Sequence, residues 1–222
     1  MAALAVDAQT KRQYYELRRY QLRNSVGPAL PGKAMPSAKP TGLDGPFGAF
    51  NPVIGEGGPF LTLLFTYSSF AEAERIDDKL GAYKGFVRYD RTILRAFEAM
   101  PELKLPPKRD GNHIFELRTY ESNDLTTLAK KVDMFNKGEM QIFQRLGMNP
   151  VFFGEAIVGS SLPHLSYMLA YDDLAARDRV WKAFGSDPEW QKLRATPGLS
   201  DADIVSNISN TILRPTAFSD IR

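Results

Sequence analysis

A six-residue pattern that occurs twice constrains the fold of this chain more than any other feature. The sequence Tyr-Glu-Leu-Arg-Arg-Tyr occupies residues 15–20, and Phe-Glu-Leu-Arg-Thr-Tyr occupies residues 115–120. Within the second copy, Phe115, Leu117 and Thr119 alternate with Glu116, Arg118 and Tyr120, which is the period of a half-buried β-strand. A strand that returns with the same polar side chains predicts two related domains.

Further matches occur in the same order along both halves of the chain. A Thr-Ile-Leu-Arg block is found at residues 92–95 and again at 211–214. Single positions also correspond between the halves: Pro46 to Pro150, Gly55 to Gly159, Leu61 to Leu165 and Tyr67 to Tyr171. A chain of 222 residues has room for two domains of about 100 residues each. These ordered matches are better explained by a duplication than by chance.

The composition excludes several classes of protein. The net charge is +2 with the basic residues scattered, so nothing indicates a nucleic-acid partner. The chain has no cysteine, which excludes a disulfide framework, a thiolate metal site and a cysteine nucleophile. No stretch approaches the ~20 apolar residues of a membrane-spanning helix.

The first residues have small side chains like those near a signal-peptide cleavage site. Residues 1–8 lack both the basic start and the apolar core of such a signal. We interpret residues 1–12 as a tail, and a truncated export signal is the alternative. The compartment, cytoplasmic or exported, therefore stays open.

The second half reads as a regular succession of strands and helices. Strands are predicted at 113–121, 151–157, 165–171 and 204–213, and helices are predicted to begin after Asn123 or Asp124, after Asp172-Asp173 and at Asp187-Pro188. The order β-α-β-β-α-β is that of a ferredoxin-like unit. Its single sheet carries helices on one face, and the other face needs a cover.

The first half departs from this order after its first strand. Strands are predicted at 14–22, 60–67 and 92–95, with a helix over about 70–83. Between them, the stretch 25–45 is rich in proline and glycine, and an interior proline costs a helix about 3 kcal/mol. The first unit is therefore predicted to lack its first helix. Residues 25–45 are interpreted as a divergent loop or as a local reading-frame error.

Several blocks of the sequence resemble the NIPSNAP family of the dimeric α/β-barrel superfamily. In residues 113–218 the resemblance is carried by F-E-L-R-T-Y at 115–120, P-V-F-F-G-E at 150–155 and D-P-E-W at 187–190. The first half is similar to the same family through Y-Y-E-L-R-R-Y and T-I-L-R-A-F-E, as in bacterial members with two domains in tandem. The expected division is a degenerate first repeat at 13–100, a linker at 101–111 and a NIPSNAP domain at 112–222.

The resemblance implies an α+β fold in which two tandem ferredoxin-like units form a dimeric α/β-barrel arrangement. The two sheets would pair within the chain as a pseudo-dimer, or between chains of a homo-oligomer. In either case the polar face of the repeated strand is expected to point into the space between the sheets. The candidate binding residues of this barrel interior are Glu16, Arg18, Tyr20, Glu116, Arg118, Tyr120, Glu155 and Tyr167.

The same residues admit a functional and a structural interpretation. Glu116 and Arg118 could form an anion-binding or acid–base pair, or a cross-strand ion pair that fixes how the sheets associate. The only histidines, His113 and His164, stand at predicted strand starts. Haem-handling relatives use a histidine on a helix, so no histidine-ligated haem or zinc site is expected, and ligation by tyrosine or carboxylate is the alternative. We therefore expect no cofactor and no metal site.

Two functional hypotheses follow. The first is a non-catalytic module that binds a small ligand in the barrel or mediates protein interaction. The second is a cofactor-independent enzyme of the monooxygenase or isomerase kind, which would use Glu116, Arg118 and Tyr120. The enzyme hypothesis depends on analogy of fold alone.

Overall fold

The computed structural model describes residues 11–24, 39–77 and 85–222. Most of the proline- and glycine-rich stretch, the N-terminal residues and the second part of the helix predicted over 70–83 lie outside these ranges. The described residues between the first two strands contain no helix, and residues 39–46 are irregular.

Eight strands follow the chain, four in each half. The first half contributes β1 Tyr14–Leu22, β2 Gly48–Ile54, β3 Phe60–Tyr67 and β4 Phe86–Ala96. The second half contributes β5 Ile114–Glu121, β6 Asn149–Val158, β7 His164–Tyr171 and β8 Asn207–Pro215. Strand β4 is longer than the block 92–95 predicted. The last strand begins later than predicted, because Ile204 lies in a helical turn.

The eight strands close into one antiparallel barrel in the order β1-β3-β2-β8-β5-β7-β6-β4. Within each half the order is that of a ferredoxin-like sheet, with the first and third strands in the centre. The halves join at two seams, β2 with β8 and β4 with β6. The predicted fold class is confirmed, and the intramolecular pairing is the one observed.

The helices pack on the outside of this barrel. The first half has α1 Phe70–Ala73. In the second half, α2 Leu125–Met134, a π turn Phe135–Glu139 and α3 Met140–Arg145 form one continuous helix. They are followed by α4 Leu174–Ser186, α5 Pro188–Arg194 and α6 Asp201–Ile204. No helix of the described residues is long and apolar enough to cross a membrane.

The predicted helix starts in the second half are confirmed by their caps. The carboxylate of Asp124 accepts a hydrogen bond from the Thr127 amide at 2.7 Å, and the Asp124 amide donates to the Thr127 hydroxyl at 3.0 Å. Asp173 caps α4, and Asp187 caps α5 with Pro188 at the first helical position. Each cap satisfies amides that have no partner inside the helix.

The π turn explains an irregular spacing of apolar residues in the first helix of this half. The amide of Met140 reaches the carbonyl of Phe135, five residues earlier. This wider turn inserts one residue, so Phe135 and Met140 are both buried although a regular helix would separate their faces. Residues 136–139, which interrupt the apolar positions of this helix in the sequence, therefore mark the position of the π turn.

The polar side chains of the repeated strand point away from the barrel interior, so their predicted direction was wrong. Phe115 lies inside the barrel with Tyr15 and Phe152, where Phe115 contacts Phe50. On the opposite face of the strands, Glu116, Arg118 and Tyr120 meet α4 and the π turn, and Glu16, Arg18 and Tyr20 lie on the outer side of the first sheet. Phe115 and Leu117, expected beneath the helices, line the interior instead.

Candidate functional site

The carboxylate of Glu116 is buried between β5 and α4 and has four donors. Arg177 and Trp181 of α4 donate at 2.6 and 2.7 Å, Asn210 of β8 donates at 2.7 Å, and Arg118 donates at 3.1 Å. Burial acts to raise the pKa of Glu116, but the hydrogen bond from Arg177, the charge of Arg118 and the indole outweigh it, so the pKa lies below its usual value. Glu116 is therefore a permanently charged anchor for α4.

Arg118 connects this anchor to two tyrosines. Its Nε and Nη2 donate to the hydroxyl of Tyr120 at 3.3 and 3.1 Å, and its guanidinium lies 4.6 Å from the centre of the Trp181 ring. Tyr167 donates to Tyr120 at 2.9 Å. Burial raises the pKa of both phenols, so both stay neutral near pH 7.

The first half repeats the arrangement with different partners. Glu16 is fully buried and accepts from Arg18, from Arg91 at 2.9 Å and from Tyr67 at 2.9 Å. Arg18 also donates to Asp77 at 2.5 Å. The residues of the two copies belong to separate side-chain clusters, so the structure does not bring the two predicted sets into one site.

Tyr20 and Glu155, the remaining candidates, are also outside the barrel interior. Tyr20 stacks on Tyr89 with ring centres 5.2 Å apart. Glu155 lies at the seam between β4 and β6, where Arg95 donates to it at 3.0 Å. Glu155 is therefore a seam ion pair, and it does not join the Glu116 cluster.

A buried charged group that sequence reasoning missed lies beneath the π turn. The ammonium of Lys131 is 3.1 Å from a carboxylate oxygen of Glu139 and 3.3 Å from one of Asp201. Burial acts to lower the pKa of Lys131, but the two carboxylates outweigh it and the pKa lies above its usual value. On a regular helix, positions 131 and 139 would point in directions about 80° apart. The extra residue of the π turn brings the side chains of Lys131 and Glu139 onto one side of the helix. In the sequence, Gly138 is the one indication of an irregular turn here.

The barrel interior, which we call the lumen, changes character along its axis. On β1, Tyr15 is fully buried, whereas Leu17 and Arg19 are half-buried. On β5, Phe115 is fully buried, whereas Leu117 and Thr119 are half-buried. Solvent therefore reaches the inward faces of both strands from the end where these strands finish.

The neighbouring strands show the same gradient in register. Opposite Tyr15, Leu17 and Arg19, strand β4 places Leu94, Thr92 and Asp90, which are respectively buried, half-buried and exposed. Opposite Phe115, Leu117 and Thr119, strand β8 places Leu213, Thr211 and Ser209 with the same sequence of exposures. We call this graded interior the funnel: its floor is apolar and buried, its middle level carries Thr92 and Thr211, and its mouth is polar.

The floor of the funnel is closed by chain segments outside the barrel. Leu103 follows β4, and Ile221 lies near the end of the chain; both pack against the buried floor residues. The amide of Leu103 donates to the side chain of Gln13, and the Lys104 amide donates to the Val151 carbonyl. Access to the lumen is therefore from the mouth.

Three surface clefts lie elsewhere on the molecule. A cleft of about 370 Å³ separates the π turn from α5, one of about 560 Å³ lies between residues 105–112 and the C-terminal residues, and one of about 330 Å³ adjoins Tyr14 and Arg95. Neither Glu116, Arg118 nor Tyr120 lines any of these three. In the described part of the chain, no group of three or more metal-ligating side chains is placed to hold an ion.

Comparison with known proteins identifies the second half of the chain. Residues 115–220 match the NIPSNAP family model. A NIPSNAP family protein of unknown function from Agrobacterium tumefaciens is 18% identical, with 51% of this chain and 97% of that chain covered and a TM-score of 0.45. No curated protein matches the chain in sequence.

Some solved structures, including the following two, are similar over nearly the whole chain. A putative monooxygenase from Lactobacillus acidophilus is 12% identical, with a TM-score of 0.58 and coverage of 92% of this chain and 94% of that chain. A putative monooxygenase from Fusobacterium nucleatum is 6% identical, with a TM-score of 0.55 and 93% of each chain covered. At these identities the likeness shows the fold alone, a ferredoxin-like α/β barrel. Within that barrel, residues 115–220, which make up most of the second half of this chain, match the NIPSNAP family model.

Proposed function

We propose that the protein is a non-catalytic module that binds a small ligand in the lumen. The observation that carries this proposal is the exposure gradient of the lumen, from a buried apolar floor to half-buried Leu17, Leu117 and Thr119. Ligand sites combine apolar walls with a few placed polar groups, and an eight-stranded barrel is wide enough for one small ligand. The lumen has both kinds of lining.

The clusters around Glu116 and Glu16 support the non-catalytic part of the proposal. The carboxylate of Glu116 is occupied by four protein donors, and Tyr120 is occupied by Arg118 and Tyr167. A general base works best with a pKa near the operating pH. The pKa of Glu116 lies below its usual value and that of Tyr120 lies above it, so both are shifted away from that range.

The alternative function is a cofactor-independent enzyme of the monooxygenase or isomerase kind. Two proteins of the same fold carry the description putative monooxygenase, but at 12% and 6% identity the fold does not transfer their chemistry. No contact of Glu116, Arg118 or Tyr120 specifically favours this alternative. It remains the second hypothesis, and turnover of a bound compound would distinguish it from the first.

Filling the lumen tests the proposal. Leu117→Trp places a bulky ring in the funnel, and Leu125→Trp places the same ring on a helix surface, where Leu125 is 73% exposed. The full chain and both variants are analysed by native mass spectrometry as purified and by thermal shift against a panel of small metabolites. We expect to find compounds that bind both the full chain and the Leu125→Trp variant. The Leu117→Trp variant should no longer bind these compounds.

Three results would contradict the proposal in different ways. Binding that survives Leu117→Trp places the site outside the lumen, and the absence of any bound compound removes the binding function. Conversion of a bound compound, followed by mass spectrometry and oxygen uptake, replaces the non-catalytic function with the enzymatic one.

A further inference from the structure

We propose that the lumen binds a small amphipathic carboxylate, whose carboxyl group pairs with Arg19 and whose apolar body contacts Leu17 and Leu117. This inference rests on the proposed function, because it takes the lumen to be the ligand site. It adds the chemical class of the ligand and the residue that recognises its charge.

Arg19 lies at the mouth of the funnel. It follows Tyr15 and Leu17 on the inward face of β1, and its guanidinium lies 4.1 Å from the centre of the Phe60 ring. One of its nitrogens donates to the carbonyl of Glu56 in the loop between β2 and β3. The side chain is therefore positioned over an aromatic surface at the entrance to the lumen.

The guanidinium of Arg19 lacks the counter-charge that comparable arginines have. Among the described residues, every other arginine that is not exposed forms an ion pair with a carboxylate, namely Arg12, Arg18, Arg91, Arg95, Arg118 and Arg177. Within the same described ranges, no carboxylate lies at ion-pair distance from Arg19. A partly buried cation is costly unless it is paired.

The charges nearest to Arg19 only partly compensate for its burial. Burial and the charge of Arg88 lower the pKa of Arg19, and the carboxylates of Asp90 and Glu56 oppose this from beyond ion-pair distance. Asp90 is exposed at the mouth, opposite Arg19 across β1 and β4. Arginine stays protonated at all ordinary pH values, so its remaining N–H donors are available to an anion that enters the funnel.

The surroundings of Arg19 favour a singly charged carboxylate with an apolar body. A guanidinium binds a carboxylate with two parallel hydrogen bonds. On the other side of the barrel, the inward-facing hydroxyls of Thr119 and Ser166 are 2.7 Å apart and hydrogen-bond each other. Asp90 at the mouth opposes a dianion such as phosphate. Below this level, the half-buried Leu17 and Leu117 pack against the apolar floor and offer it as a continuous surface to an apolar body.

Octanoate and octanol, titrated into the full chain by isothermal calorimetry, test the inference. The two probes share the apolar chain and differ in charge, so we expect octanoate to bind at least about tenfold more tightly. Arg19→Gln should remove that preference, and Arg23→Gln, on an exposed arginine at the end of the same strand, should keep it. Leu117→Trp should weaken the binding of both probes.

A second variant keeps the test decisive if Arg19→Gln does not fold. Arg19→Lys retains the charge without the planar fork, so we expect octanoate affinity between those of the full chain and of Arg19→Gln. Equal affinity for octanoate and octanol, or unchanged octanoate affinity in the Arg19 variants, would overturn the inference. If the role of Arg19 is overturned in this way but Leu117→Trp abolishes octanol binding, the lumen remains a ligand site for uncharged compounds. If Leu117→Trp affects neither probe nor any panel compound, the proposed function fails as well.

Discussion

Glu116 illustrates how a single buried residue can stay charged because its hydrogen-bond donors come from the protein itself. Its four donors come from β5, β8 and α4, so one carboxylate ties a helix to two strands. Removing one partner of a buried ion pair leaves the other charges uncompensated. The residue therefore contributes to the position of α4, and its loss should be measured as stability.

Replacing Glu116 by alanine is expected to lower the free energy of unfolding by about 3–5 kcal/mol, because Arg118 and Arg177 lose their shared anion. The measurement is urea denaturation followed by circular dichroism. Asp178→Ala is the control, since Asp178 is an exposed partner of Arg177, and it should change stability by less than about 0.5 kcal/mol. Equal costs for the two variants would show that the buried carboxylate is not an anchor.

His164 gives the molecule a predictable response to mild acid. Burial lowers its pKa and outweighs two opposing causes, the hydrogen bond from its Nδ1 to the Ser161 carbonyl at 3.1 Å and the charge of Glu121. The folded pKa lies below the unfolded value of about 6.5, so the folded state binds fewer protons. The resulting stability is present above about pH 6.5 and is lost as the pH falls towards the folded pKa.

The melting temperature is therefore expected to fall between about pH 7 and pH 5.5, and His164→Gln should flatten this dependence. His113→Gln, at the only other histidine, should leave the slope in place. Buried Glu139, whose pKa is raised by burial, is common to all three proteins, so comparison isolates the histidine. Titration of the His164 ring by NMR at or above pH 6.5 would contradict the expectation.

At the scale of elements, helix boundaries in the second half could be predicted and strand direction could not. Caps such as Asp124 and Asp173 act through the next three residues, so local sequence contains their whole signal. The period of a strand shows which residues share a face. It does not show which face meets the helices, because both faces of β5 are buried in a closed barrel. For this reason the sequence-based prediction places Glu116 in the barrel interior and Phe115 beneath the helices, which is the reverse of what the structure shows.

The end of α3 provides a test of element geometry. Gly147 has φ of 80°, and the amides of Gly147 and Met148 donate to the carbonyls of Gln144 and Phe143, which is a Schellman motif. Gly147→Ala forces a side chain into the left-handed region and is expected to cost about 1 kcal/mol or more of stability.

The matched control is Gly185→Ala inside α4. A Cβ added at Gly185 meets no atom within 4 Å, and alanine is the better helix former by up to about 1 kcal/mol. Chemical denaturation should show opposite signs for the two glycine variants. A stabilising effect of Gly147→Ala would show that the helix does not end in the left-handed conformation there.

At the scale of the whole molecule, the duplication could be read from the sequence but the pairing of the two sheets could not. The repeated blocks predict two sheets, each with two unpaired edge strands. Which edges meet depends on contacts such as Arg95 with Glu155, between residues far apart in the chain. The structure joins β2 to β8 and β4 to β6, so each half covers the edges of the other.

This mutual covering predicts the behaviour of the second half on its own. A fragment of residues 112–222 would leave the edges of β6 and β8 unpaired, and unpaired edges recruit another strand. Since β4 and β8 hold equivalent places in the two sheets, two copies can pair β6 of one with β8 of the other. We expect a dimer of the fragment by size-exclusion chromatography with light scattering.

Gly154→Val in the same fragment tests whether the dimer uses the seam of the parent barrel. In the full chain a Cβ at Gly154 would lie 2.7 Å from the Cβ of Leu94 across the seam between β6 and β4. The equivalent contact in the fragment is with Leu213, so valine should shift the dimer towards monomer. A fragment that stays monomeric and unfolds cooperatively would show that one ferredoxin-like unit is stable with its edges open, and that closure of the barrel serves the lumen rather than the stability of the halves.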